Sequence, residues 1–550
     1  MCPLTFNQCS SSLNTNGIST LSSSSENPSA ISPSRGIAIK CTTPNVGASF
    51  PRRAWRLTGS QYINSVKSAF ASVQSVTNPF RVEAVTGAFR NNSDGLNIGL
   101  QLTADLIAEN EKIGAAAVSG LVTAYPCLAS TINLTCSNSV VSSVVSSLFR
   151  RPITATELST YSQFLMSEAS LYGNTDGISA FVQASLLSPN FLFRYEIGDR
   201  LTGILDPYEK AALISFSAAD SAPDAELMDA AKNGALKTTA QIKSHFIRLA
   251  KKSNRYETLI DFLQQYLHYS AITTKTKDQA LFPNFNVNVA KALVAETDAL
   301  VIDMMRSGTG TISELLSTDN VMVQPLTASI YAKNASSLPA GTMTKIKDSS
   351  RAGILTQPSF LASHGGTKNS SPVQIGKLIR TEILCGKLGR PPVDPPTLDA
   401  IPETSFPTQR ERLTALHSKG TCYGCHRLMD PIGLGFENFD AVGAIRTTEN
   451  GYPIDDSGEI TYTNSALDGA FNGGAELGRR LASSEVVQSC IMKKSFQFIA
   501  GQVGDTGSDC FIEQVRKANN NTTDKADIVG VFADIFTEFL LAPRFGTLEN

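Results

Sequence analysis

The sequence has little of several things. Its 550 residues include one tryptophan and five histidines, and charged residues make up only 17%. Imidazole chemistry therefore has only His245, His268, His364, His417 and His426 to draw on. The formal net charge of −2 gives no global attraction for nucleic acid or an anionic membrane surface. No Lys/Arg-rich run is long enough to act as a phosphate footprint, so no nucleic-acid partner is expected. No uninterrupted apolar stretch has the length of a membrane span, so no transmembrane segment is expected. The GxSxG, HExxH and P-loop patterns are missing, which removes the usual signatures of hydrolase and nucleotide chemistry. No repeat of solenoid period is present. The opening MCPLTFNQCSSSLNTNG lacks a basic and an apolar region, so it does not read as a signal peptide. Any leader is expected to have been removed or to lie upstream. Cys2 is then a candidate lipid anchor, against an ordinary half-cystine or free thiol.

Cysteine is not scarce. There are ten, and two of them fall in Cys422-Tyr423-Gly424-Cys425-His426. This CxxCH spacing is the attachment pattern of a covalent c-type haem. Each thiol adds to one vinyl group of a porphyrin, and the histidine directly after the second thiol faces the iron as an axial ligand. A redox-active CxxC is a second reading, but a Pro-rich strip and a helix precede it here rather than a βαβ context. Half of a zinc site is a third, with Cys385, His417 or His426 completing the ligands; no second CxxC or HxxxH supports it. One covalent haem c is the leading expectation. The eight remaining cysteines are Cys2, Cys9, Cys41, Cys127, Cys136, Cys385, Cys490 and Cys510. Their even number suits disulfides in an oxidising compartment. Short separations favour Cys127 with Cys136, and Cys490 with Cys510.

Along the chain, residues 1–50 are rich in Ser, Asn, Thr and Pro, and read as a tether or irregular cover. Thr154 with Glu157 has the spacing of a capping box. Asp206-Pro207-Tyr208-Glu209 is a second helix start. Residues 102–121, 174–188, 208–219, 239–252, 256–268 and 287–306 carry helical periodicity. A Pro-rich strip from Gly389 to Pro407 should be extended. The helix Gln409–His417 follows it. Residues 446–474 predict a hairpin-like excursion, and helices return over 475–499 and 526–541.

The stretch "LHSKGTCYGCHRLMDPIGLGFENFDAVGAIRTTENGYPIDDSGE" resembles the cytochrome-c-like module of a large bacterial family of secreted proteins. These are built from consecutive domains of unknown function. Arg351-Ala352-Gly353-Ile354-Leu355-Thr356, Ser371-Pro372-Val373, Phe149-Arg150-Arg151-Pro152 with Glu157, and Arg56-Leu57-Thr58 with Tyr62 resemble further motifs of that family. The segment around Cys490 and Cys510 resembles its closing domain. Three places depart from it. Ile375 stands where the family has Arg, Gly501-Gln502 replaces Gly-Arg, and residues 215–220 read SFSAAD where an aromatic-rich motif is expected. The resemblance implies a cofactor and an architecture rather than a reaction. The expected fold is mainly α: a helical multidomain protein with a cytochrome-c-like haem module and short irregular β excursions. Its segments are a Ser-rich tether over 1–50, helical domains over 51–150 and 151–350, the haem module over 351–474, and a helical domain over 475–550.

His417 lies nine residues before His426, within reach of the far face of the ring, and the resemblance also places a histidine there. It is the first candidate for the second axial position. His364, in the polar loop SHGGTKNSS, is the alternative, and an open position or a methionine is a third. His245 and His268 read as packed helix histidines. Arg446 and Arg427 are candidates to neutralise haem propionates. The acids over 450–459 lack EF-hand spacing and read as a solvated turn rather than a calcium site. The function expected is electron transfer with a redox partner protein, in the periplasm or at the cell surface. A haem enzyme of peroxidase or oxidase type, or a structural or adhesive protein stabilised by haem, are the alternatives.

Overall fold

The computed structural model describes residues 50–80, 89–252, 256–307, 310–332, 338–339, 341–389, 406–418, 422–502, 506–518 and 527–549. The Ser-rich segment with Cys2, Cys9 and Cys41, and most of the Pro-rich strip, lie outside them. Helices dominate and the strands are short, as the apolar periodicity predicts.

Local signals set the helix starts. The Thr154 side chain accepts from the Glu157 N–H while the Glu157 carboxylate accepts from the Thr154 N–H, which starts the helix Ala155–Tyr172. Asp206, Pro207 and Glu209 do the same for Pro207–Ala219. The segment 475–499, where helices are expected, forms two, Gly473–Ala482 and Glu485–Ala500. They break where the Ser484 side chain accepts from the Val487 N–H. The excursion over 446–474 contains two small antiparallel pairs, Thr448–Glu449 with Tyr452–Pro453 and Ser457–Ile460 with Gly469–Asn472.

Two apolar cores form. The first gathers Leu57, Tyr62, Val140, Leu165, Phe181 and their neighbours from the helices before residue 193. The second gathers the helices that follow. The helix Pro207–Ala219 stands between them. Ala212 and Phe216 face the first core, and Leu213 and Ile214 face the second. Near its middle the molecule carries a three-stranded sheet that the sequence pattern does not reveal. Phe50–Arg56 is the central strand, antiparallel to Phe193–Glu196 and parallel to Arg544–Glu549. Buried charge ties these strands together. The Glu196 carboxylate lies 2.8 Å from Arg53 Nη2 and 3.3 Å from Arg544 Nε. Burial alone raises the pKa of Glu196, but Arg53, Arg544 and Arg194 outweigh it and hold the group ionised.

Cys127 and Cys136 are bonded, as their spacing predicts. Cys490 is bonded to Cys385 and not to Cys510, although Cys510 is itself disulfide-bonded. The helix face decides the pairing. Cys490 and Lys494 are four residues apart and so share one side of Glu485–Ala500. That side meets residues 382–385, where Lys494 pairs with Glu382 at 2.6 Å. No helix among the described residues is long and apolar enough to cross a membrane.

Candidate functional site

The helix Tyr423–Leu434 starts directly at Cys422, whose backbone is already helical. Cys422, Cys425, His426, Met429 and Asp430 therefore fall at i, i+3, i+4, i+7 and i+8, along one face. A second helix, Pro372–Leu378, fixes where that face points. Gly376 and Gly433 let the two backbones meet. A Cβ on Gly433 would stand 1.8 Å from the Pro372 carbonyl oxygen, and one on Gly376 would stand 1.9 Å from that of Met429. The crossing therefore admits no side chain at either position. The segment from Arg351 anchors this pair to the body. The buried Arg351 donates to the carbonyls of Thr356 and Gly443, 2.6 and 2.7 Å away, and its guanidinium lies over Tyr331 and Phe439.

Among the described cysteines, Cys422 and Cys425 are the two that form no disulfide. Cys422 is buried and Cys425 is half-buried, with its thiol 3.7 Å from the Gly389 carbonyl. His426 is buried beside them. Its Nδ1 lies 3.0 Å from both oxygens of Asp430, and His417 Nδ1 lies 2.6 Å from Asp430 Oδ2. The two imidazoles pack on each other with ring centroids 3.6 Å apart. Burial would raise the pKa of Asp430, but the two imidazoles hold it below the ordinary carboxylate range. A carboxylate only accepts hydrogen bonds, so each ring donates through Nδ1. Nitrogen and oxygen atoms of His417, His426 and Asp430 all lie within 4.8 Å of one another, a spacing suited to a metal ion.

Asp430 had no assigned role in the sequence reading. Its signal was there: it lies four residues after His426, one helical turn on. His417 lies against His426, on the same carboxylate, rather than opposite it. His364 belongs to other surroundings. Its Nδ1 lies 2.8 Å from the Phe360 carbonyl, its ring packs on Phe360, and Lys275 and Lys277 are near. Burial pushes its pKa down to about 4. Arg446 is not a free cation. It donates to the Glu437 carboxylate at 3.1 Å and to the Glu437 carbonyl at 2.9 Å, and it pairs with Glu449 at 3.5 Å. Arg427 lies over the rings of Tyr423 and Tyr462. Cys385 is removed from any metal-ligand set by its bond to Cys490.

Three family models match the chain, each described as a protein of unknown function. PSD5 (DUF1595) matches residues 136–196, PSD4 (DUF1592) residues 205–332, and PSCyt3 (DUF1588) residues 351–449. Together they mark a multidomain protein of a type whose function is not established. The last match contains the CxxCH face and both glycines of the helix crossing. No curated protein and no solved structure matches the chain.

Proposed function

We propose that the protein is a c-type cytochrome that carries one covalent haem and transfers electrons outside the cytoplasm. The observation that carries this reading is the division of the cysteines. Every described cysteine except Cys422 and Cys425 is oxidised to a disulfide. Two thiols left out of disulfides beside a buried imidazole, where the other described cysteines are cross-linked, are the donor set that haem attachment needs. Each thiol S–H would add across one vinyl C=C of the group, sulfur to one carbon and hydrogen to the other, with no oxidant consumed. Cys422 and Cys425 would hold the group and His426 Nε2 would face its iron. Bound there, haem supplies a one-electron couple.

The chain's own residues orient that site. Asp430 fixes the tautomer and angle of His426, and a carboxylate behind an imidazole makes it a stronger donor. The Gly376–Gly433 crossing holds the helix that carries all of these groups. The short name PSCyt3 of the model matching this region supports a cytochrome reading. The disulfides and the absence of a membrane-spanning helix among the described residues fit a periplasmic or cell-surface location.

The position of His417 favours a second reading, a haem enzyme with an open sixth position. To reach the side opposite His426, His417 has to leave Asp430 and the face of the His426 ring. Haem staining after denaturing electrophoresis tests the main proposal, and the stain should stay on the polypeptide. The double variant Cys422→Ser/Cys425→Ser should lose it. Zinc in place of iron by elemental analysis overturns the proposal. A five-coordinate high-spin spectrum selects the enzyme reading over simple electron transfer.

A further inference from the structure

Away from the CxxCH face, the three-stranded sheet forms the floor of a cavity of about 500 Å3. Its walls come from the helices Gly59–Ala69, Pro207–Ala219, Glu257–Leu267 and Glu485–Ala500, and its lining mixes polar side chains with apolar ones. A volume of this size suits a small-molecule ligand rather than trapped water alone.

Arg194 is the most informative residue in it. This side chain is only 2% exposed and lines the cavity. It stands opposite Trp55 in the strand register, with its guanidinium 3.7 Å from the indole centroid. Its Nε is buried with no hydrogen-bond partner. The neighbouring Glu196 is already engaged by Arg53 and Arg544. Asp220 also lines the cavity, yet no ion pair joins it to Arg194 among the described residues. A buried guanidinium with an unused donor is costly unless an anion reaches it. Its planar fork matches an oxyanion such as a carboxylate.

Two more lining residues carry a buried polar atom with no hydrogen-bond partner, Asn91 Oδ1 and Thr258 Oγ1. Asp220 follows the helix Pro207–Ala219 in the left-handed region, at φ 51°. Ser60 and Gln61 hydrogen-bond its carboxyl, and Asn64 Nδ2 holds its backbone carbonyl at 2.9 Å. Arg90, Glu257 and Asp261 also line the cavity. Arg90 pairs with Asp261 at 2.8 Å, which leaves Arg194 as the cation for an oxyanion, beside several acceptors for hydroxyl groups. The face of Trp55 is covered by Arg194, so an aromatic ligand has no platform there.

We propose that this cavity binds a hydroxylated carboxylic acid of sugar-acid size, with Arg194 receiving the carboxylate and Asp220, Asn91 and Thr258 receiving hydroxyls. The inference stands independently of the haem. Trp55 is the only tryptophan of the chain, so its fluorescence reports on the site alone. The full-length protein is titrated with glucuronate, with glucose and sodium sulfate as comparators. Glucuronate should change the emission saturably and bind at least roughly tenfold more tightly than either comparator, the worth of one charge-assisted hydrogen bond. Arg194→Lys should abolish that preference. Thr258→Val keeps the side-chain volume and removes only the hydroxyl. It should weaken glucuronate binding severalfold with the fold intact, so it carries the test if Arg194→Lys fails to fold. No saturable response to glucuronate overturns the proposal. So does equal binding of glucose, which denies the role of Arg194, or equal binding of sulfate, which denies the hydroxyl contacts.

Discussion

Removal of the Cys385–Cys490 bridge is the perturbation whose size follows most directly from the structure. The bond closes a separation of 105 residues that contains the CxxCH face. In the chain-entropy description, a cross-link lowers the entropy of the unfolded chain by about 2.1 + 1.5R ln n cal/mol/K, for a loop of n residues. For this loop that is about 4.8 kcal/mol at 25 °C. The Cys127–Cys136 bond closes a separation of only 9 residues. The same relation gives about 2.6 kcal/mol for it. The variants Cys385→Ser/Cys490→Ser and Cys127→Ser/Cys136→Ser should therefore differ by about 2 kcal/mol, with the long-loop variant the weaker. Urea unfolding followed by far-UV circular dichroism measures both under oxidising conditions. The loss at Cys490 should be local as well as global. Its sulfur lies 2.9 Å from the Glu382 carbonyl, beside the Lys494–Glu382 ion pair. If the short-loop variant loses as much stability as the long-loop one, unfolded-state entropy is not the main contribution. If the long-loop variant loses nothing, the pairing itself is refuted.

Three further outcomes are expected. In haem-loaded protein, Asp430→Asn should raise the midpoint potential in a redox titration, because the carboxylate behind His426 favours the oxidised iron; an unchanged potential refutes that coupling. Gly433→Val should destabilise by about 3 kcal/mol or more in thermal unfolding, because backbone occupies the space its side chain needs, and a wild-type melting temperature contradicts the helix crossing. Burial, against hydrogen bonds from Ser60 and Gln61, raises the pKa of Asp220 to about 7, above the value of about 3.9 in an unfolded chain. The folded state therefore holds this proton more tightly, and the contribution of Asp220 to stability is full below about pH 4 and lost as the pH rises to about 7. Asp220→Asn should gain stability relative to the wild type across that window, and a difference independent of pH refutes the assignment.

Legibility in the sequence followed how local each feature is. The helices starting after Thr154 and Asp206 were readable because capping depends on residues three apart. Cys127 and Cys136 were readable for the same reason. The sheet was not. Its strands are short, and they bury Arg53, Arg194 and Arg544, which a period-two search for apolar residues reads as surface. The partner of Cys490 depended on which face of its helix meets Glu382, and that is a tertiary fact. At the CxxCH face the sequence named Cys422, Cys425, His426 and His417, and the structure places the two histidines together. It did not supply the reason they meet, Asp430, because the packing of the helix Gln409–His417 against Tyr423–Leu434 has to be known before one carboxylate can be seen to serve both. Arg446 looked available because its acids, Glu437 and Glu449, lie nine residues before it and three after it. Their convergence comes from the turn between Phe439 and Ile445.

The sheet under Trp55 also sets an order of events. Its middle strand ends at Arg56, and the strand that completes it begins at Arg544. A chain synthesised in one direction has Arg53 and Glu196 long before it has Arg544. Throughout that interval the middle strand presents an open row of backbone donors and acceptors, the kind of edge onto which a foreign strand adds. That edge therefore stays open while the helices between Glu196 and Arg544 are being made.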